Sequence, residues 1–222
     1  MRIFPLSESA LTIELGDQIS SELNARAIAL AERFNQVPFQ GFIEAVPAYA
    51  SVTLYYDLVE THRAFPESNS VFSAISDLAR RAADTIPEST SIEPRLIEIP
   101  MSISETDSPD LGSISERKGL TPDEVIDIFT SRTYSVYMLG FLPGFAYMGE
   151  VDERIATPRL ATPRTSVPKG SVGIAGKQTG IYPLESPGGW NIIGRTDLQL
   201  FDPHAGEPTL LKPGDEVRFV QK

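Results

Sequence analysis

Apolar and polar residues alternate over Leu11–Leu15 (Leu-Thr-Ile-Glu-Leu), which predicts a strand. The period then lengthens. Ile19, Leu23, Ala27, Leu30, Ala31 and Phe34 recur at helical spacing, with Ser20 and Ser21 near the start, and predict an amphipathic helix. Gly41–Val46 and Val52–Tyr56 read as strands on either side of Pro47–Ser51. A second amphipathic helix follows over Val71–Ile86, then a strand at Arg95–Pro100. Strand–helix–strand–strand–helix–strand is the order of a split βαβ unit. Residues 1–100 are therefore expected to form an α+β domain, a ferredoxin-like α/β sandwich. No side chains gather into a chemical constellation in this half, and His62 reads as a surface histidine in a polar loop.

After Met101 the pattern changes. Asp107-Ser108-Pro109-Asp110-Leu111 opens a short helical stretch. Thr121-Pro122-Asp123-Glu124 starts another helix, with Thr121 as cap, Pro122 in the first position and acids in the first turn, running to about Ser131. Short strands then recur at Tyr134–Leu139, Ser171–Ala175, Thr179–Pro183, Trp190–Arg195 and Glu216–Val220, separated by Gly/Pro turns. That rhythm predicts a closed β-barrel or sandwich over residues 101–222.

Composition sharpens the picture in one region. Ten of the 16 glycines and six of the 18 prolines lie between Gly140 and Gly194. The chain as a whole has 19 Lys+Arg against 30 Asp+Glu and a formal net charge of −11, which argues against nonspecific binding to nucleic acid or an anionic membrane. Yet Arg154, Arg159, Arg164, Lys169, Lys177 and Arg195 lie in one stretch whose only acid is Glu185. A rigid, glycine-rich, locally positive segment is what an anion site requires, and a solvated surface run is the alternative. No apolar run approaches the roughly 18–20 residues of a bilayer span, and the first residues lack the apolar core of a signal peptide. With no cysteine and only His62 and His204, disulfides, thiolate chemistry and His-based metal sites or triads have little to work with. The expectation is a cytoplasmic protein whose chemistry runs on Arg, Lys, carboxylates, hydroxyls and backbone amides.

Four stretches stand out. Gly140-Phe141-Leu142-Pro143-Gly144-Phe145 is a rigid turn between apolar anchors, readable as a barrel corner or a pocket wall. Thr157-Pro158-Arg159 and Thr162-Pro163-Arg164 hang two arginines from extended backbone, suited to bidentate anion binding or merely to solvent. Val167-Pro168-Lys169-Gly170-Ser171-Val172 is the third. The fourth runs from Gln178-Thr179-Gly180-Ile181-Tyr182-Pro183 into Ser186-Pro187-Gly188-Gly189-Trp190, with Gly194-Arg195-Thr196 close behind. The single tryptophan, Trp190, is either a core anchor or the cover of a planar ligand. Gly173-Ile174-Ala175-Gly176-Lys177 is too short for a phosphate-binding P-loop.

These strings resemble the family that includes KipI, the B-type subunit of 5-oxoprolinase and allophanate hydrolase subunit 1. The resemblance extends over essentially the whole chain, and Pro109-Asp110-Leu111 and the closing Leu211-x-Pro213-Gly214-Asp215-x-Val217 also belong to it. Two departures are visible: Phe129 stands where the family usually has a histidine, and Ser104-Glu105-Thr106-Asp107 replaces a glycine pair. The resemblance implies an N-terminal α+β domain followed by a cyclophilin-like β-barrel. It also implies a subunit of an ATP-dependent 5-oxoprolinase that opens 5-oxo-L-proline to L-glutamate, acting with a homologous second barrel subunit and a third subunit. ATP is then a co-substrate, with Mg2+, and the isolated chain is expected to be inactive. The alternatives are a noncatalytic module inhibiting a histidine kinase, or a subunit of a urea carboxylase or allophanate hydrolase-type amidolyase. On the 5-oxoprolinase reading, Arg195, Arg164 and Gln178 are expected to be catalytic. Arg159, Lys177, Thr179, Tyr182, Gly188, Gly189, Trp190 and Thr196 are expected to bind substrate or ATP, and no metal ligand is assigned.

Overall fold

A computed structural model describes residues 1–91 and 93–222. It divides into two compact units, Met1–Glu93 and Pro94–Lys222. The first contains β1 (Arg2–Ser7), β2 (Ala10–Glu14), α1 (Ser21–Gln36), β3 (Phe42–Ala48), β4 (Ser51–Tyr56), α2 (Leu58–Ala64) and α3 (Val71–Asp84). Both long helices begin at a serine cap: the Ser20 and Ser70 hydroxyls accept from the amides of Leu23 and Ser73. Their apolar stripes, including Ala27, Leu30, Phe34, Ile75 and Ala79, pack with Leu11, Ile13, Val52 and Leu54 in one core.

The sheet of this unit is antiparallel in the order β1-β2-β4-β3. It is not the split βαβ expected from the sequence. The place beside β2 that a strand after the last helix would take is filled by β1, from the N-terminal side. β1 escapes the periodicity analysis because it carries Pro5 and is exposed along nearly its whole length. Both edge strands hold a proline, Pro5 in β1 and Pro47 in β3, where a missing amide costs least and blocks edge-to-edge pairing. His62 lies in the short helix α2 rather than in a loop.

The second unit contains β5 (Leu96–Met101), α4 (Leu111–Lys118), α5 (Pro122–Thr130), β6 (Thr133–Leu139), β7 (Ala146–Gly149), β8 (Arg164–Val167), β9 (Ser171–Ala175), β10 (Gln178–Ile181), β11 (Ser186–Gly188), β12 (Asn191–Arg195) and β13 (Glu216–Gln221). α5 has the predicted start: Thr121 and Glu124 form a reciprocal capping box with Pro122 behind it. Seven strands form one mixed sheet in the order β12-β9-β10-β7-β6-β13-β5. Its two end strands meet through Ser102 and Arg195, whose backbones exchange hydrogen bonds of 2.8 and 3.0 Å. The sheet is thereby a nearly closed barrel, filled by Ile99, Met101, Val136, Met148, Val172, Ile174, Ile193 and Phe219. β8 and β11 pair with each other as a separate two-stranded ribbon. No helix among the described residues is long and apolar enough to cross a membrane.

One strand changes sides. The sequence expectation has β5 closing the first domain at Pro100, but it runs parallel to β13 over six residue pairs in the second unit's sheet. Pro100 does not end a domain: it sits in an end strand of that sheet, where a proline is tolerated. We therefore expect residues 94–222 to fold alone with a cooperative thermal transition. A chain starting at residue 101 lacks the β5 ladder and the buried Ile99, and is expected to lose that transition. Indistinguishable melting curves for the two fragments would contradict this assignment.

Candidate functional site

Phe145 organises the face of the barrel unit on which the site lies. Its ring meets Tyr147, Tyr182, Trp190 and Phe141 edge-on, at centroid distances of 4.9, 5.3, 5.4 and 5.6 Å. Such edge-to-face contacts place the positive ring edge on a negative ring face and hold each ring in orientation. Two glycines make the cluster possible. A Cβ at Gly180 would lie 2.9 Å from Phe145 and 2.8 Å from the Ala146 carbonyl, and one at Gly188 would lie 2.3 Å from the Tyr182 hydroxyl.

The rings open on a pocket of about 170 Å³, walled by Phe141, Phe145, Tyr147, Tyr182, Trp190 and the Pro187–Gly189 turn, with Pro163 and Arg159 completing it. Phe141 stands at the rim, 61% exposed, on a left-handed backbone (φ 68°) that few phenylalanines adopt. Arg159 is exposed and, among the described residues, is the one charged group lining the pocket. Tyr182 is buried, and burial pushes its phenol pKa up, while the Trp190 backbone amide hydrogen-bonds its oxygen and opposes that rise. At neutral pH the hydroxyl is therefore protonated and can donate to a ligand.

Of the residues expected to bind or act, the structure gathers Arg159, Tyr182, Gly188, Gly189 and Trp190 around this pocket. It distributes the others elsewhere. Arg195, expected to be catalytic, closes the barrel through its backbone, and its exposed side chain adds only a minor share to the lowering of the Asp197 pKa, which comes chiefly from the Lys222 hydrogen bond. The Arg164 guanidinium is engaged by Asp110 at 2.6 Å. Lys177 follows Gly176, whose φ of 63° turns the β9–β10 hairpin, and pairs with Glu153 on the surface. Gly173–Lys177 is therefore a hairpin and not a phosphate loop. Thr179 is fully buried and donates to the Gly173 carbonyl, and buried Thr196 accepts from Leu198. Gln178 is half-buried at the start of β10, paired across to Gly149 and Ala175. None of these six lines the pocket. Phe129, at the family's histidine position, is a core ring between Tyr134 and Phe219, at 5.0 and 4.9 Å.

Tyr147 is the wall residue that the sequence motifs miss. A signal for it exists: Phe145 and Tyr147 stand two apart on extended backbone and so share a face. Phe141, Phe145, Pro163 and Pro187 lie within the motifs that stand out, and the structure makes them walls.

Relatives share this architecture. The carboxyltransferase domain, subdomain C and D, matches residues 1–211. A Bacillus subtilis (strain 168) protein, named as the B-type subunit of 5-oxoprolinase, is 44% identical over 222 residues, 99% of this chain and 92% of the relative. The crystal structure of TTHA0988 superposes with a TM-score of 0.80 at 37% identity, covering 96% of this chain but only 40% of that longer one. The Kluyveromyces lactis urea amidolyase shares the fold, with a TM-score of 0.73 at 20% identity over 96% of this chain and 14% of the amidolyase.

The glycine at 188 offers a direct check on this geometry. Gly188→Ala drives a methyl into the Tyr182 hydroxyl and should destabilise the protein by about 1–3 kcal/mol, the usual cost of overpacking. Removing the hydroxyl in a Gly188→Ala/Tyr182→Phe double variant should recover part of that loss. Urea unfolding of the four proteins measures it, and strictly additive losses would contradict the contact.

Proposed function

We infer the role of this chain from one premise: it belongs to the carboxyltransferase domain family, subdomain C and D, and within it to the group of B-type 5-oxoprolinase subunits. We propose that it acts as a subunit of an ATP-dependent 5-oxoprolinase, converting 5-oxo-L-proline to L-glutamate, and that the aromatic pocket receives the lactam. The observation that carries this reading is a small ring-lined cavity with a single cation at its edge. 5-Oxo-L-proline is a compact five-membered ring bearing one amide and one carboxylate. Trp190, Phe145 and Tyr147 offer faces and edges to the ring. Arg159 offers a fork to the carboxylate, and the neutral Tyr182 hydroxyl offers a proton donor to the lactam oxygen.

An amide resists attack because resonance stabilises it, so opening the ring needs donors aimed at the oxygen where negative charge develops. A buried, protonated tyrosine supplies one such donor without reorganisation. Among the described residues no carboxylate, histidine or lysine lines the pocket, so the base that activates water comes from a partner subunit on this reading. On this reading the cavity takes a smaller anion than a nucleoside triphosphate. The cavity is about 170 Å³, against roughly 300–1,000 Å³ for sites of drug-sized ligands, and Arg159 is its only cation among the described residues. We accordingly assign ATP and Mg2+ to the partners, a homologous barrel subunit and a third subunit. That TTHA0988 carries more than twice the length of this chain supports a fold that works beside further domains. ATP-dependent work of this kind suits the cytoplasm.

Titration of the full chain with 5-oxo-L-proline, followed by Trp190 emission, tests the reading. Saturable binding is expected. Arg159→Ala should weaken it roughly 10- to 100-fold, the worth of a charge-assisted hydrogen bond, while Arg195→Ala leaves it unchanged. The purified chain alone should release no glutamate. A wild-type chain that does not bind the lactam, or an Arg159→Ala chain that binds it as tightly, would overturn the assignment.

A further inference from the structure

The pocket's far wall is the segment Gly188–Trp190, the last residue of β11 and the two-residue connection from it to β12. Turns of this kind, with two glycines and no helix to hold them, are free to move unless side chains fix them. Here the fixing comes from outside the turn. Asp110 stands at the N-cap position of α4 but does not cap it: no helix amide bonds its side chain. Its carboxylate is committed instead to β12 and β8. Oδ2 accepts from the Ile192 amide at 2.6 Å, and the Asp110 amide donates to the Ile192 carbonyl at 3.1 Å, a two-point grip on one residue. Oδ1 accepts from Arg164 Nη2, also at 2.6 Å.

Arg164 then reaches both ends of the turn. Its backbone pairs with Gly188 in the β8–β11 ribbon, and its Nη1 points at the Trp190 carbonyl, 3.5 Å away. Neighbouring contacts extend the grip. Asn191 donates to the carbonyls of Pro158 and Ile174 at 2.8 and 3.1 Å, tying the same turn to the segment that presents Arg159. The carboxylate of the ion pair is 9% exposed and the guanidinium 31%. A buried carboxylate left without its cation is costly, so the two groups act as one device.

We infer that the Asp110–Arg164 ion pair is a positioning device: it holds the Gly188–Trp190 turn, and with it the indole and the space in front of Tyr182, in the ligand-ready arrangement. Arg164 touches no ligand. It acts through Trp190 and Gly188, in contrast to Arg159, which lines the pocket. This inference rests on the proposed binding of 5-oxo-L-proline for one of its two readouts only.

The other readout needs no ligand, because Trp190 is the only tryptophan in the chain and reports on this wall alone. The test uses full-length Arg164→Met, Asp110→Asn, the double variant and Arg164→Lys. Far-UV circular dichroism serves as the control for folding. Arg164→Met and Asp110→Asn should each shift Trp190 emission to the red and make it more readily quenched by acrylamide. The double variant should do no more than either single one, as expected for residues acting as a unit. Arg164→Lys, which keeps a cation opposite Asp110, should restore most of the wild-type emission. Binding of 5-oxo-L-proline should weaken about tenfold in the two single variants and recover in Arg164→Lys, the order expected for loss of a coupled contact. If Arg164 instead contacted the ligand, Arg164→Met would lose binding with emission unchanged and Asp110→Asn would bind normally; that result overturns the inference. Unchanged emission and quenching in a folded Asp110→Asn overturn it as well. If the wild type binds no 5-oxo-L-proline, the proposed function fails, and the emission and quenching arms still decide the positioning role.

Discussion

Phe145 can stand edge-on to four other rings because position 180, on the neighbouring strand, has no side chain. A Cβ there would meet the Phe145 ring at 2.9 Å and the Ala146 carbonyl at 2.8 Å, closer than packed atoms come. Displacing Phe145 would move Tyr147, Tyr182 and Trp190 with it, since each takes its orientation from that ring. The pocket is therefore a consequence of strand register: β10 must pair with β7 and β9 so that a glycine falls beside the phenylalanine. The barrel enforces that register. Its closure through Ser102 and Arg195 fixes β12 against β5, and β12 begins at the residue after Trp190.

The charge distribution follows from the same economy. An acidic chain with a locally basic segment suggests a multivalent anion site, but most of those cations are used structurally or at the surface. Arg154 joins Arg132 on Asp152, whose carboxyl is held well below the ordinary range mainly by the Arg154 hydrogen bonds. Lys177 takes Glu153 and Arg164 takes Asp110. Among the described residues, one arginine, Arg159, reaches the pocket, a match for one carboxylate. The division of labour proposed for the assembly rests on that number.

Much of this is legible in the chain. Helices α1 and α3 announce themselves by apolar spacing, and α5 by Thr121, Pro122 and the acids of its first turn. The longer barrel strands show by alternation between glycine and proline turns. What escapes is short or exposed: β7 and β8 span four residues each, β11 three and α2 seven, and β1 buries little. The parallel pairing of β5 with β13 joins strands more than a hundred residues apart, which no local pattern encodes. At the site, the motifs are visibly special, but their residues divide by rules the sequence does not carry. Arg159 and Arg164 look identical in their Thr-Pro-Arg frames, yet one reaches the pocket and the other is taken by Asp110. That difference is set by tertiary partners. Tyr182 and Thr179 likewise belong to one motif, and one faces the cavity while the other is hydrogen-bonded to the Gly173 carbonyl.

The central claim is that a small cyclic acid occupies the aromatic pocket of the barrel unit. A crystal structure of the full-length chain with 5-oxo-L-proline tests it most directly. The account predicts the ring packed against Phe145 and Trp190, its carboxylate on Arg159 and its lactam oxygen within hydrogen-bonding distance of the Tyr182 hydroxyl. A lactam bound elsewhere on the chain, or an aromatic pocket left empty at saturating ligand, would contradict it.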